Sequence, residues 1–300
     1  MFRKLFVTIL AAALLLTACA PAAAKTRMDG LNRPVELQGI PKRIVSLAPS
    51  NTEILFAIGA GKQVVGRDSF SNYPAQAASV QDIGGSTGKY DTEAIVALKP
   101  DLVLAGEINT PELVNSLQKL GLTVYYLPNP TTLEGMFANL ETVGQLTGHS
   151  SEAGVLVKSL TARVAAVDAR IKTATTSPAV YYELDATDPT KPYTAGPGTF
   201  VDLLLTRAGG NNVGKSLKSQ WAQISLEQLV VANPSIIILG DAAYGTTPDA
   251  LKQRAGWGSL AAVKNGQIYP IDDNLISRPG PRLVDGLEAL AKLLHPEVYK

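Results

Sequence analysis

Three hundred residues, 46% of them apolar and 18% charged, exceed what one hydrophobic core usually serves, so two domains are expected and disorder or a fibrous chain is excluded. A formal net charge of +1, from 27 basic and 26 acidic residues, argues against a nucleic-acid partner, which wants a basic face. No basic run supplies one locally.

Arg3 and Lys4 precede an apolar run, Leu5 to Leu16, interrupted only by Thr8 and ending in "LTAC" (16–19). That order of charged, apolar and small residues reads as a secretory signal. A membrane-spanning helix would need about 20 apolar residues, more than the run provides. "LTAC" also resembles the lipobox of bacterial lipoproteins, which implies cleavage after residue 18 and diacylation of Cys19, the chain's one cysteine. A lone cysteine in an exported protein has no intrachain partner, and two acyl chains anchor better than one. Cleavage removes two basic residues and no acid, so the mature chain is formally −1. Residues 19–41, in which the small and polar "APAAAKTRMDG" (20–30) follows Cys19, are expected to be a tether and lead-in.

The first folded unit is expected over 42–149. "TEILFAIGAGKQVVG" (52–66) reads as an amphipathic helix, a glycine stop and an extended piece. "DTEAIVALKPDLVLAG" (91–106) follows as a capped helix, a proline break and a buried strand closed by glycine. Asp91 is the expected cap, Ile95 and Leu98 the inner face, and the residue before Pro100 is expected to be extended. "TPELVNSLQKLGLTVYYL" (110–127) repeats helix then strand. The next element, 150–176, carries Leu156, Leu160, Val164, Val167 and Ile171 on one face at spacings of three and four. With a cap at Ser150 or Ser151 and a stop at Pro178, some 24 residues would span about 36 Å, enough to cross a domain.

The second unit, 177–300, says the same things again. "SLEQLVVANPSIIILGD" (225–241) matches the segment at 91–106, pairing Glu93 with Glu227, Val96 with Val230, Pro100 with Pro234 and Gly106 with Gly240. Ser225 is its cap, with Leu229 and Val230 inward. "FVDLLLTRAGGNNVG" (200–214) and "TPDALKQRAGWGSLAAVKNGQIYPI" (247–271) echo the flanking pieces. Alternating helices and buried strands predict an α/β protein: two Rossmann-like lobes with central, largely parallel sheets, joined by a single long backbone helix.

Several motifs tempt. "GGNNVGKS" (209–216) fits the phosphate-loop pattern through Gly209, Gly214, Lys215 and Ser216. That mechanism needs a strand before the loop and a helix after it, and here a helical pattern precedes and none follows. "GGSTG" (84–88) fits the hydrolase elbow around Ser86, but "SVQDI" is a poor strand and no helix begins before Asp91. The two histidines, His149 and His295, sit beside helix ends and gather no carboxylate cluster of the kind metal binders use. Phe70, Tyr73, Tyr90, Tyr193 and Trp221 are read as loop residues in polar, glycine-rich surroundings, which suits a cleft for a large, flat or ring-shaped ligand.

From about residue 33 to the end, "RIVSLAPSNTEILFAIGAG", "EAIVALKPDLVLAG" and "AGPGTFVDLLLTRAGGNN…WAQISLEQLVVANPSIIILGD" resemble the helical-backbone (class III) substrate-binding proteins of ABC importers, most closely the cobalamin-binding branch. The resemblance implies a non-enzymatic receptor with no intrinsic cofactor. It would be a monomer, lipid-anchored outside the cytoplasmic membrane, that binds a small-molecule ligand between its lobes and docks on a permease dimer through Glu93 and Glu227. It also implies ligand contacts from the aromatics Phe70, Tyr90, Tyr193 and Trp221 and from polar groups at Ser50, Asn51, Asn274 and Arg278. Two aromatics of the cobalamin binders are replaced here by Thr87 and Leu275. Haem, through Tyr90, Tyr193 or His149, and a ferric siderophore, through Arg67, Arg278 and Trp221, remain open beside cobalamin.

Overall fold

The computed structural model describes residues 25–300. The expected signal segment and Cys19 lie outside them. The described part begins with an antiparallel hairpin, β1 (Lys25–Met28) and β2 (Pro34–Leu37), where a tether was expected. Val35 and Leu37 point inward and Glu36 outward, the alternation of a half-buried strand. The hairpin is tied to the first lobe by Tyr125 Oη donating to the Met28 carbonyl and by Gly30 N donating to that of Tyr126.

The first lobe then alternates as expected: β3 (Ile44–Ser46), α1 (Pro49–Ala57), β4 (Val64–Arg67), β5 (Gln81–Asp82), α2 (Thr92–Ala97), β6 (Leu102–Ala105), α3 (Pro111–Lys119), β7 (Val124–Tyr126) and α4 (Leu133–Thr147). Its five strands are all parallel, in the order β5-β4-β3-β6-β7. The joining helix α5 (Ser150–Ile171) runs 22 residues, about 33 Å. The second lobe holds β8 (Ala179–Glu183), β9 (Tyr193–Ala195), α6 (Phe200–Arg207), β10 (Asn211–Asn212), β11 (Trp221–Gln223), α7 (Leu226–Ala232), β12 (Ile236–Leu239), α8 (Pro248–Lys252), α9 (Ala261–Lys264), β13 (Ile268–Pro270), α10 (Asn274–Ser277) and α11 (Leu283–Leu294). Its parallel sheet is ordered β10-β8-β12-β13, with β9 and β11 set apart as an antiparallel ribbon.

The repeated segment folds alike in both lobes. Asp91 accepts from the Ala94 amide (2.9 Å), and Ser225 from that of Gln228 (3.2 Å), whose side chain returns a bond to Ser225 N. Ile95 and Leu229 are fully buried, but Val230 faces out, because seven helical residues turn only one narrow stripe to the sheet. The residues before the prolines are not extended. Lys99 (φ +45°) and Asn233 (φ +42°) are left-handed, ending each helix before the chain reverses into its strand. The closing glycines have different reasons. A Cβ on Gly240 would lie 2.1 Å from Tyr182 Oη, whereas one on Gly106 would meet nothing nearer than 3.4 Å.

α5 begins at Ser150 with His149 as its uncapped flank, and it stops at Ile171, well before Pro178. Leu160, Val164 and Val167 bury its inner stripe. One continuous core runs from Ile44 and Leu104 of the first lobe through this stripe to Leu287 and Leu290 of the second. Bidentate pairs pin the helix outside that core: Arg207 on Asp168 (2.9 and 2.8 Å) and Arg163 on Glu288 (2.8 and 2.6 Å). Among the described residues no helix is long and apolar enough to cross a membrane.

Candidate ligand-binding cleft

In an open parallel sheet the loops at the carboxyl ends of the strands diverge where the strand order reverses, leaving a crevice. In the first lobe that point lies between β3 and β6. The loops leaving these strands, with Ala48, Ser50, Asn51, Gly106, Glu107 and Ile108, line a cavity of about 140 Å³. The opposite wall comes from the second lobe, through Gly198, Thr199, Phe200, Gln220, Trp221, Ser277 and Pro279. A wider open groove of about 940 Å³ lies on the flank of α1, but only first-lobe residues line it.

The cavity alone is smaller than the 300–1,000 Å³ usual for small-molecule sites. Two of its lining residues, Ile108 (60% exposed) and Trp221 (43%), are open apolar side chains. Two further exposed rings belong to neighbouring segments: Phe70 (49%), whose carbonyl bonds Arg278 next to the lining residues Ser277 and Pro279, and Tyr193 (43%), on the strand paired with that of Trp221. Tyr193 and Trp221 were expected in loops and instead sit on the ribbon, where Trp221 pairs with Ala195 and Gln223 with Tyr193. Side chains two apart on a strand share a face, so the two rings are diagonal neighbours, close enough to work together. Thr194 Oγ1 holds this ribbon to the sheet by donating to the Tyr182 carbonyl (2.6 Å).

The remaining expected contacts separate. Ser50 and Asn51 line the cavity, and Asn51 Nδ2 donates to the Leu104 carbonyl (3.2 Å). Tyr90 lies behind the wall. Its hydroxyl donates to the Leu47 carbonyl (2.9 Å) and accepts from Asn109 Nδ2 (2.7 Å). Burial, aided by Asp68, pushes this phenol up to about 12. Asn274 is half-buried in α10, its Nδ2 donating to Asp272 Oδ1 (2.7 Å). Arg278, expected at the start of a helix, precedes α11 by several residues, between the lining residues Ser277 and Pro279, and reaches across to the first lobe. It donates to Asn72 Oδ1 (2.9 Å), the Phe70 carbonyl (3.3 Å) and Glu53 Oε1 (3.4 Å).

Glu93 and Glu227 are exposed in the first turns of α2 and α7. Crossover helices run back against their strands, so both carboxylates stand on the side where the strands end and the cleft opens. The helix amides and Ser225 hold the Glu227 carboxyl below the usual range.

His149 lies at the other end of the lobe, against Gly59 and the Thr147 carbonyl. His295 is wholly buried at the foot of α11, bonded to Glu297. Among the described residues no group of His, Cys, Asp and Glu is arranged to hold a metal ion. Ser86 is in an exposed turn between the bridged Gly84 and Tyr90, and Lys215 in a short 3-10 turn that no α-helix follows. Neither motif has the strand–turn–helix setting its chemistry requires.

Sequence reasoning passed over Ile108, which follows the repeated Gly106, and Gln220 beside Trp221. It also passed over the interlobe partners Glu53 and Arg282, which are 229 residues apart. A glutamate between Thr52 and Ile54 on a helix's inner face signals a buried carboxylate, though not which residue pairs with it.

A model of the periplasmic binding protein family matches residues 44–275. The ABC transporter substrate-binding lipoprotein YvrC of Bacillus subtilis is 31% identical over 275 residues, covering 91% of this chain and 86% of its own. A cobalamin-binding protein of Halobacterium salinarum is 30% identical over 321 residues, covering 98% and 86%. The apo periplasmic heme-binding protein RhuT of Roseiflexus superposes with a TM-score of 0.78 at 27% identity, covering 87% of this chain and all of RhuT.

Proposed function

The chain belongs to the periplasmic binding protein family, and from that premise we propose that it captures a corrinoid, cobalamin, in the interlobe cleft and delivers it to the permease dimer of an ABC importer. The family and these relatives are substrate-binding transport proteins rather than enzymes, so no acid, base or nucleophile is assigned. In this reading residues 42–149 and 177–300 are the two lobes, 150–176 the joint, and a diacylated Cys19 holds the receptor, a monomer, outside the cytoplasmic membrane.

The observation that carries the ligand class is a set of exposed apolar side chains from both lobes, Ile108 and Trp221 in the lining of a small interlobe cavity that also holds Ser50 and Asn51, with the exposed rings of Phe70 and Tyr193 on adjoining segments. A ring-shaped ligand covers such a rim with its faces and sends a substituent toward Ser50 and Asn51. The polar groups of Asn274 and Arg278 meet its edge. Glu93 and Glu227, one per lobe and both beside the cleft mouth, meet the cationic surface of a two-subunit partner.

Haem is the second reading, supported by Tyr193, an exposed phenol on the ribbon beside the cleft, of the kind that ligates haem iron. Titrating the mature protein with cyanocobalamin, haem and a ferric siderophore, followed by tryptophan fluorescence, separates the readings. Cobalamin is expected to bind at micromolar concentration or tighter. Haem binding in that range with none for cobalamin overturns the assignment.

A further inference from the structure

Five side chains converge at a contact between the two lobes: Glu53, Asn72, Tyr73, Arg278 and Arg282. Glu53, on α1 of the first lobe, is buried with its side chain 2% exposed. Arg282, just before α11 of the second lobe, grips it with two bonds, Nε to Oε2 (2.9 Å) and Nη2 to Oε1 (2.5 Å). Arg278 adds a longer bond to the same carboxylate and then passes on to Asn72 and the Phe70 carbonyl. Arg282 lies over the Tyr73 ring, 4.0 Å from its centroid. The second lobe's chain comes so close here that a Cβ on Gly280 would be 3.4 Å from Glu53 Oε2.

A carboxylate in such a place is costly unless it is paired, and a planar guanidinium pairs with it in a fixed geometry that an ammonium cannot impose. The bond to Glu53 keeps the Arg282 guanidinium charged, its pKa raised against the opposing effect of burial. Two cations on one buried anion leave a second guanidinium free to bond elsewhere. Arg278 uses that freedom on the loop that carries Phe70. The loop is braced from its own side as well: Asp68 accepts from the Phe70 amide (2.9 Å) and from the Ser71 hydroxyl.

We infer that Glu53 is a positioning residue for ligand binding: through Arg278 and Arg282 it fixes the Phe70 loop of one lobe to the other lobe, and so sets the spacing between Phe70 and the ribbon that bears Tyr193 and Trp221. A prearranged rim loses less entropy on closing over a ligand, and the gain appears mainly as slower release. This inference rests on the ligand reading above only for its binding arm; the bracing itself is a property of the free protein.

The test is Glu53→Gln, which keeps the side chain's shape and removes its charge. Hydrogen exchange on the ligand-free protein is expected to quicken at residues 68–73 and 276–283 and to stay at wild-type rates in β6, β7, β8 and β12. Release of cyanocobalamin is expected to accelerate about tenfold or more with little change in the association rate. Glu53→Asp, which keeps the charge on a shorter stem, recovers part of the protection. Where Glu53→Gln does not fold, Arg278→Gln leaves the Glu53–Arg282 pair in place and should loosen only residues 70–73. Unchanged exchange in those loops, or acceleration spread evenly over both lobes, overturns the inference. Should the wild type bind none of the three ligands, the ligand assignment falls and the exchange pattern still decides this one.

Discussion

Replacing Trp221 by alanine removes the largest uncovered apolar surface of the proposed rim. A tryptophan side chain offers up to about 250 Å²; with 43% of Trp221 open, about 100 Å² is left for a ligand to cover. At about 25 cal/mol per Å² that area is worth about 2.5 kcal/mol, or a Kd about 70-fold higher. The ribbon should survive, since Trp221 pairs with Ala195 through its backbone. Calorimetric titration with cyanocobalamin reads the affinity, and fluorescence supplies an internal control. The only other tryptophan, Trp257, is fully buried with its indole N–H on the Pro189 carbonyl (3.0 Å). The variant should therefore keep a blue-shifted emission that no longer responds to ligand. A loss of affinity under about threefold, or ligand quenching that persists without Trp221, would refute the placement of this face against the ligand.

Reversing both proposed docking charges, Glu93→Arg with Glu227→Arg, should abolish uptake in cells while leaving the Kd for ligand within about twofold; normal uptake would remove the role assigned to these two carboxylates. Lys99→Asn gives the left-handed position the residue its counterpart Asn233 already has, and urea unfolding should show a gain of about 0.5–1 kcal/mol. Asp168 and Glu288 have native pKa values held low, chiefly by their bonds to Arg207 and Arg163. The unfolded chain therefore takes up protons first as pH falls. The stability these pairs supply is complete above the unfolded carboxylate range and drains away as pH drops through the native values. Both pairs are about a third exposed, so each contributes no more than about 1 kcal/mol. The fall in Tm between about pH 5 and pH 3 should be shallower in Asp168→Asn with Glu288→Gln than in the wild type.

What the sequence made legible was local. The caps Asp91 and Ser225, the strands running into Gly106 and Gly240, and the apolar stripe of α5 each depend on neighbours within a turn or two, and each formed where expected. The misreadings have local causes as well. Left-handed Lys99 and Asn233 end their helices with the turn that a following proline still permits, against the usual extended preference. β9 and β11 are three residues each, too short to show alternation, and exist because they pair with each other. The site was harder. Glu53 and Arg282 meet across 229 residues, and nothing in either stretch announces the other. Arg278 could be read as a cleft residue, but not as one already bonded to three first-lobe groups.

The internal repeat and the cleft divide the chain's work differently. The repeated helix and strand recur element for element, down to the left-handed turn, although few residues are identical, and they carry Glu93 and Glu227 to equivalent first-turn positions. The proposed ligand surface has no such symmetry. The first lobe contributes a notch of mixed polarity at the reversal of its sheet, while the second contributes the β9–β11 ribbon; the two-stranded antiparallel piece of the first lobe, β1–β2, lines no part of the cavity. Duplication of a scaffold keeps what a two-subunit partner would need twice. A ligand is bound once, and an asymmetric solute gains nothing from matched walls. The ribbon, with two exposed rings on one face, is therefore where selectivity among flat ligands should be sought. The Glu53 bridge is what holds Phe70 at a set distance from that ribbon, so rim chemistry and rim spacing should prove separable by mutation.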